Sequence, residues 1–540
     1  MNAACGGYRD AWLRLADGTR LVSRIWTPQG RGPWPVLLMR QPYGRAIAST
    51  VTYAHPDWYA AQGFLVVVQD VRGCGDSEGC FAGFAQEAAD GAETVRWARN
   101  LPESNGRLAT YGFSYQGLTQ LLLADSPDLP DGLAPAMCGL DERLHWATEG
   151  GAHWWALGLA WALQLAALRC RRNGELQAWS HIRRTLDSGD FLAVGPDVLQ
   201  RLDPQGMGMG WLHREPADPA QWVRHEPPQA LLSRPMLVVG GWFDPHLRGV
   251  LDLWHRSRSA GGQPQLHLGA WSHLHWRGGL DAVQCAFFRR VLAEGASAPG
   301  SGDPLQSTTP RFIWQCPITE GWHQADPCHC PLPLHWCLRS DGLAAVRTDA
   351  GMLIAGSGGG GVTIVHDPWR PVPGRGGHLG LDAGLVDRDD LDARTDVACF
   401  TSEPFAVTTA LLGCPWLELD VEADQPGFDL CVALSLLPHG PTRRVRQIST
   451  GVARWLGEEC CRLQRRRLSL QPIGVVLQPG DRLRLSLAAA AWPQIAVNPG
   501  DGTQPWGPGT ISHRIITLRI QLAGSRFWLD PLVAADWQRR

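Results

Sequence analysis

One stretch restricts what this chain can fold into more than any other: Thr110-Tyr111-Gly112-Phe113-Ser114-Tyr115-Gln116-Gly117. It follows Leu108-Ala109 and runs into Leu118-Thr119-Gln120-Leu121-Leu122-Leu123, so a short strand meets an apolar helix at a serine. A serine raised at such a corner has a strained backbone. Side chains two before and three after it would crowd the crossing helix, which glycine avoids. The general spacing is G-x-S-x-G; here the closing glycine comes one residue late. A serine in a Gly-rich turn can equally be a plain turn or a helix cap, so the rest of the chain must supply its partners.

The flanking sequence fits a sheet that such a corner needs. Residues 12–27 read as a hairpin turning at Asp17-Gly18. Pro35-Val36-Leu37-Leu38-Met39-Arg40 and Gly63-Phe64-Leu65-Val66-Val67-Val68-Gln69-Asp70 are apolar on both faces, as strands of a buried, largely parallel sheet are. Ala85 to Arg99 has helical spacing. Strand, helix, strand, helix and then the serine corner is a doubly wound α/β pattern.

The pattern breaks over 139–230, which is helical and rich in Trp, His, Gln and Arg, and resumes at Arg234-Pro235-Met236-Leu237-Val238-Val239-Gly240-Gly241-Trp242-Phe243-Asp244. A helix near 250–256 follows, then Gln265-Leu266-His267-Leu268-Gly269-Ala270-Trp271-Ser272-His273. Ser114, Asp244 and His273 thus each sit just past a strand end, where catalytic groups gather in open α/β sheets. Their chain order, Ser then Asp then His, is that of a nucleophile, an orienting acid and a base in α/β-hydrolases. Asp244 could merely close the turn before Pro245, and His275 rivals His273; His273 is preferred because it comes first after the strand.

Arg40-Gln41-Pro42-Tyr43-Gly44, Gln69-Asp70-Val71-Arg72-Gly73-Cys74-Gly75-Asp76-Ser77-Glu78-Gly79, Gly112-Phe113-Ser114-Tyr115-Gln116-Gly117, Gly240-Gly241-Trp242-Phe243-Asp244 and Gly269-Ala270-Trp271-Ser272-His273 occur in this order. Together they resemble the cocaine-esterase-type (CocE/NonD) hydrolases, which belong with the X-Pro dipeptidyl-peptidases and α-amino-acid ester hydrolases. The resemblance covers nearly the whole chain and accounts for the late glycine. It implies Ser114 as nucleophile, Asp244 as orienting acid and His273 as base. It further implies an oxyanion hole made by the Tyr43 hydroxyl and the backbone N–H of Tyr115. Asp70, Arg72 and Glu78 read as an ion-paired structural loop beside the site.

The resemblance also implies a helical cap over the site, a role that 139–230 suits. Tryptophan is abundant, 26 against 13 Phe, and an indole buries a large surface with one polar handle. Most of these belong to the core; Trp154, Trp155 and His246 are the residues expected to face an apolar or aromatic acyl group. From about 300 the composition changes to short alternating strands with regular turns, an all-β sandwich for which the resemblance implies a jelly roll. The expected layout is an α/β-hydrolase domain in two parts, 1–138 and 231–300, with the cap at 139–230 between them and the β-sandwich at 301–540.

Length and charge narrow the function classes. A chain of 540 residues exceeds a single core. With 19% charged residues and a net charge of -3 it has no polyanion-binding character, so nucleic acid is not an expected partner. The start has no secretory pattern, the run from Trp154 to Leu168 is too short to span a bilayer, and the scattered 15 cysteines fit reduced thiols. The expectation is a cytoplasmic enzyme with no membrane partner, compatible with a homodimer. Cys316, His323, Cys328, His329, Cys330, His335 and Cys337 lie close together but lack a C-x₂-C pair, so no metal is assigned, and no cofactor is required.

The reading is a serine hydrolase that cleaves a small ester or amide through an acyl-enzyme, the expected substrate being a carboxylic or α-amino-acid ester with an apolar or aromatic acyl part. A second reading within the class is an Xaa-Pro dipeptidyl-peptidase acting on short peptides, for which Asp141, Glu142 and Glu149 are the cap carboxylates available to hold an amine. A third, from another class, is a catalytically silent carbohydrate-binding protein.

Overall fold

A computed structural model describes residues 7–46, 52–124, 126–276, 279–293, 312–325, 334–440 and 444–532. β1 (Tyr8–Arg14) and β2 (Arg20–Trp26) form the antiparallel hairpin, with Gly18 at φ +91° in its turn. Then come β3 (Trp34–Gln41), α1 (Pro56–Ala61), β4 (Leu65–Asp70), α2 (Glu87–Arg99), β5 (Ser104–Phe113), α3 (Tyr115–Leu118) and β6 (Gly132–Ala136). After the cap the same sheet continues with β9 (Leu237–Phe243), α9 (Leu247–Ser259), β10 (Gln265–Ser272), α10 (Leu280–Val291), β11 (Phe312–Gln315) and β12 (Trp322–Ala325).

These strands form one ten-stranded sheet in the order β1-β2-β4-β3-β5-β6-β9-β10-β11-β12. It is parallel from β4 to β11 and antiparallel only at its two ends. β4 and β9 are buried at every position, because helices cover both faces. Alternate residues serve the two layers. Leu37, Met39, Val66 and Val68 pack toward Phe288 of α10, whereas Val36, Leu38, Leu65 and Val67 belong with Val95 of α2 and Trp254 of α9.

The expected division at 300/301 does not match the sheet pairing. β10 pairs in parallel with β11, and β11 turns back into β12, so the first sheet extends through Ala325. These strands are four residues each and partly exposed in alternation, which gives them the look of the segment that follows.

The cap span holds β7 (Thr148–Glu149) and β8 (Ala152–His153), a two-residue ladder, followed by α4 (Trp155–Arg172), α5 (Leu176–Ser188), α6 (Phe191–Leu202), α7 (Met207–Leu212) and α8 (Gln229–Leu232). α4 buries a stripe of Trp155, Leu159, Ala162, Leu163, Ala166 and Cys170 against Phe191 and Leu199 of α6.

From Leu334 to Leu532 the described chain is β-rich, with its strands hydrogen-bonded into a second, twelve-stranded sheet. Thr409–Ala423 pairs with Ile516–Pro531, and Gly427–Leu437 lies between Arg446–Leu456 and Arg482–Ala488. This region is pressed onto the first. A Cβ at Gly474 would lie 2.4 Å from the Trp242 ring of β9, and one at Gly150, in the turn between β7 and β8, 2.0 Å from the Val452 carbonyl oxygen. Among the described residues every cysteine is free and no helix is long and apolar enough to cross a membrane.

Candidate active site

β5 ends where Ser114 takes φ +57°, ψ −127°, a conformation a side chain rarely adopts. Its N–H donates to the Ala136 carbonyl of β6 at 2.9 Å, which fixes the corner to the sheet. A Cβ at Gly112 would come within 2.4 Å of Gln116 Cβ, and one at Gly117 within 2.7 Å of the Ala136 carbonyl oxygen. The late glycine is therefore dictated by the close approach of α3 to the end of β6.

Asp244 follows β9 and is fully buried. Its Oδ1 accepts the His246 backbone N–H at 2.8 Å, and its Oδ2 accepts His273 Nδ1–H at 2.5 Å. A carboxylate can only accept, so the His273 proton sits on Nδ1 and Nε2 is left as the basic nitrogen. The Asp244 main-chain carbonyl accepts Gln471 Nε2 at 2.7 Å, a contact from the β-rich region. The rival His275 is exposed, with Nδ1 3.3 Å from Ser272 Oγ.

Tyr43 lies in the loop after β3. Its backbone N–H is held by Gln41 Oε1 at 3.0 Å, and two residues on Arg45 clamps the buried Asp70, Nη1 to Oδ2 at 2.7 Å. Burial drives the Tyr43 hydroxyl up to about 12 against opposing hydrogen bonds from the Trp161 indole and the Ser114 side chain. It is protonated, and a donor, at any ordinary pH. Arg72 and Glu78 are paired as an ionic loop, with Asp90 at 2.7 Å and Arg20 at 2.6 Å respectively.

Beneath the serine, Tyr115 is buried with its hydroxyl 2.8 Å from Glu87 Oε1, and Glu87 Oε2 accepts Arg40 Nη1 at 2.6 Å. Burial pushes the Glu87 carboxyl up despite the Arg40 charge. This network ties the side chain of the residue after the serine to β3 and α2, so its backbone N–H has little freedom.

Rings form an arc from His273 to Tyr43. Centroids run 5.0 Å from His273 to His246, 4.4 Å from His246 to Trp146 and 6.1 Å from Trp146 to Trp161. Trp161 Nε1 then meets Tyr43 Oη at 3.1 Å. His246 donates from Nδ1 to the His145 carbonyl at 2.6 Å, and burial pulls it down to about 4 and His145 to about 3, so both are neutral. Trp154 joins the arc edge-on to His246 at 5.7 Å.

The structure does not bring Trp155 to this group. It is fully buried in the cap core, and its Nε1 donates to the Leu192 carbonyl at 2.9 Å. Six positions along a helix turn through about 600°, so residues 155 and 161 cannot share a face. Trp146 was missed in the sequence, and Trp161, within the aromatic stretch 150–161 expected to line the site, was not singled out. The signal that finds Trp161 is its place off the apolar stripe of α4.

Of the Cys/His-rich stretch, Cys328, His329 and Cys330 lie outside the described residues. His323 stacks on Trp314 at 4.5 Å, and no group of three or more metal-ligating side chains occurs among the described residues.

With the geometry in hand, comparison with known proteins is direct. Residues 17–275 match the X-Pro dipeptidyl-peptidase (S15 family) domain, and residues 363–521 match the X-Pro dipeptidyl-peptidase C-terminal non-catalytic domain. The chain thus carries an S15-family domain over residues 17–275 and is a serine hydrolase. It is 25% identical to a cocaine esterase from Rhodococcus, over 90% of this chain and 91% of that protein. Two solved structures share its whole fold. An aminopeptidase from a marine-sediment thaumarchaeon has a TM-score of 0.69 at 19% identity and covers 97% of this chain and 96% of its own. An α-amino-acid ester hydrolase has a TM-score of 0.67 at 17% identity and covers 98% of each chain.

Proposed function

We propose that this hydrolase cleaves a small carboxylic ester, with Ser114 as nucleophile, His273 as base and Asp244 as the acid that orients it. The single observation that carries the reading is the 2.5 Å contact from His273 Nδ1 to the buried Asp244, beside a serine held at positive φ. Serine is a weak nucleophile until a base takes its proton. Here Ser114 Oγ bonds to the ester carbonyl carbon while His273 Nε2 takes the hydroxyl proton. The carbonyl electron pair moves onto oxygen, where the Tyr43 hydroxyl and the Tyr115 N–H donate to it. Collapse breaks the C–O bond, and the alcohol leaves with the proton from His273. Water then repeats the steps on the acyl-Ser114 and releases the acid.

The apolar rings of Trp146, Trp154 and Trp161 support an aromatic or bulky apolar acyl part. Ester rather than amino-terminal peptide cleavage is favoured because the cap carboxylates are already engaged. Glu142 receives Trp211 Nε1 at 3.0 Å, Arg214 at 3.1 Å and His225 at 3.1 Å; Glu149 meets His378 at 2.5 Å; Asp141 caps the Leu144 N–H at 2.9 Å. Glu142 and Glu149 are thus already paired with cationic or N–H groups. The free thiols favour a cytoplasmic setting.

The test is a substrate panel of aryl acyl esters against Xaa-Pro anilides, run with fluorophosphonate labelling of the wild type and Ser114→Ala. Ester turnover with Ser114-dependent labelling is expected. Faster turnover of Xaa-Pro anilides would replace the ester reading with the peptidase one, and labelling that survives Ser114→Ala would remove Ser114 as nucleophile.

A further inference from the structure

The indole of Trp161 meets the phenol of Tyr43 across the cap boundary, Nε1 to Oη at 3.1 Å. An indole nitrogen only donates, so the direction of this bond is fixed: Trp161 gives the proton and the Tyr43 oxygen accepts. A phenol has one proton of its own, confined near the ring plane. With a donor already seated on one side of Oη, that proton is turned to the other side. Donation into the oxygen also polarises the O–H, making it a stronger donor.

Trp161 is itself held in place. Its ring sits between those of Trp146 at 6.1 Å and Trp211 at 5.6 Å. Trp146 Nε1 donates to the Gly139 carbonyl at 2.7 Å, and Trp211 Nε1 to Glu142 at 3.0 Å. α4, which carries Trp161, begins with N–H groups that have no partner within the helix. Those of Trp155 and Ala156 are taken by the carbonyls of Gln494 at 2.8 Å and Pro493 at 3.2 Å.

We propose that Trp161 is a positioning residue for the oxyanion donor: its N–H fixes which way the Tyr43 hydroxyl proton points, and so couples the docked cap to transition-state stabilisation. This rests on reading Tyr43 as an oxyanion donor. Trp161 needs no contact with the reacting atoms.

The test is a double-mutant cycle in the full-length enzyme between Tyr43→Phe and two changes at Trp161. One is Trp161→Phe. The other is Trp161 replaced by β-(3-benzothienyl)alanine, which keeps the ring shape and deletes only the N–H, so that loss of packing is not mistaken for loss of the donor. With Tyr43 present, the benzothienyl variant is expected to lose about tenfold in kcat with KM within about twofold. In the Tyr43→Phe background the same replacement should cost nothing further. Full kcat in the benzothienyl variant, or an equal loss in both backgrounds, overturns the proposal while leaving Tyr43 as the donor. Unchanged kcat in Tyr43→Phe alone would instead overturn the reading of Tyr43, and the positioning role with it.

Discussion

The ten-stranded sheet and the β-rich region bury their strands in different ways, and the difference separates two kinds of work. In the first sheet β4 and β9 are covered on both faces, so their ends are rigid and their loops can carry Ser114, Asp244 and His273 at one edge. In the second, a strand such as Gly359–His366 alternates between buried and exposed positions. No candidate reacting group lies there. Yet the β-rich region reaches the site from behind at several points. Gln471 holds the Asp244 carbonyl at 2.7 Å, Ser469 Oγ accepts Arg248 of α9 at 2.7 Å, and Gln494 and Pro493 receive the start of α4. His378 meets Glu149 of the cap at 2.5 Å, both buried. One region carries the candidate reacting groups; the other holds the loops that position them.

The largest effect should follow from removing a reacting atom. Ser114→Ala is expected to lower kcat about 10⁴-fold or more without unfolding the protein, as read by ester turnover and circular dichroism. Near-wild-type turnover in the folded variant would break the division at its root.

A chain ending after Ala325 keeps every candidate reacting group and the complete first sheet, but leaves the Trp242 face of β9 and the start of α4 uncovered. It is expected to be insoluble or inactive. A soluble fragment with full activity would make the β-rich region an independent binding module, and would restore weight to the carbohydrate-binding reading.

Tyr43→Phe should cost about a hundred- to a thousandfold in kcat with KM little changed. A rise in KM alone would make Tyr43 a substrate contact. Gln471→Ala reaches the site only through the Asp244 carbonyl, which it leaves buried without its donor. A loss of about tenfold in kcat is expected, with labelling of Ser114 slowed in proportion. No change in either would detach the second region from catalysis.

The smallest effect concerns acid stability. Burial holds His246 and His153 at about 4 and His145 at about 3, against 6.5 for a free imidazole. Below about pH 6.5 the unfolded chain takes up these protons and the folded one does not, so stability falls as pH drops from 6.5 toward 4. Each group contributes about 1.4 kcal/mol per pH unit across that window. His246→Gln should flatten the dependence of Tm on pH. An unchanged slope would mean that His246 is not the neutral, buried ring described.

How much of this was legible in the sequence depends on how far apart the partners are. The strands of the first sheet announce themselves as continuous apolar runs, and the hairpin as Asp17-Gly18. Ser114, Asp244 and His273 stand at strand ends, where topology alone gathers them. The extension of the sheet by β11 and β12 was not legible, because four-residue alternating strands look the same whichever sheet they join. Trp155 was misplaced because a stretch of apolar residues hides its helical phase. The bonds from Trp161 to Tyr43 and from Gln471 to Asp244 join positions 118 and 227 residues apart, and no local pattern encodes such a pairing.

The most direct test of the whole scheme is to catch the acyl group on the enzyme. Wild-type protein mixed with excess aryl ester and quenched in acid within the first turnovers should gain the mass of one acyl group. Fragmentation should place that group on Ser114, and Ser114→Ala should gain none. Acyl transfer to another residue, or alcohol released in the first turnover with no acyl group gained by the protein, would contradict it.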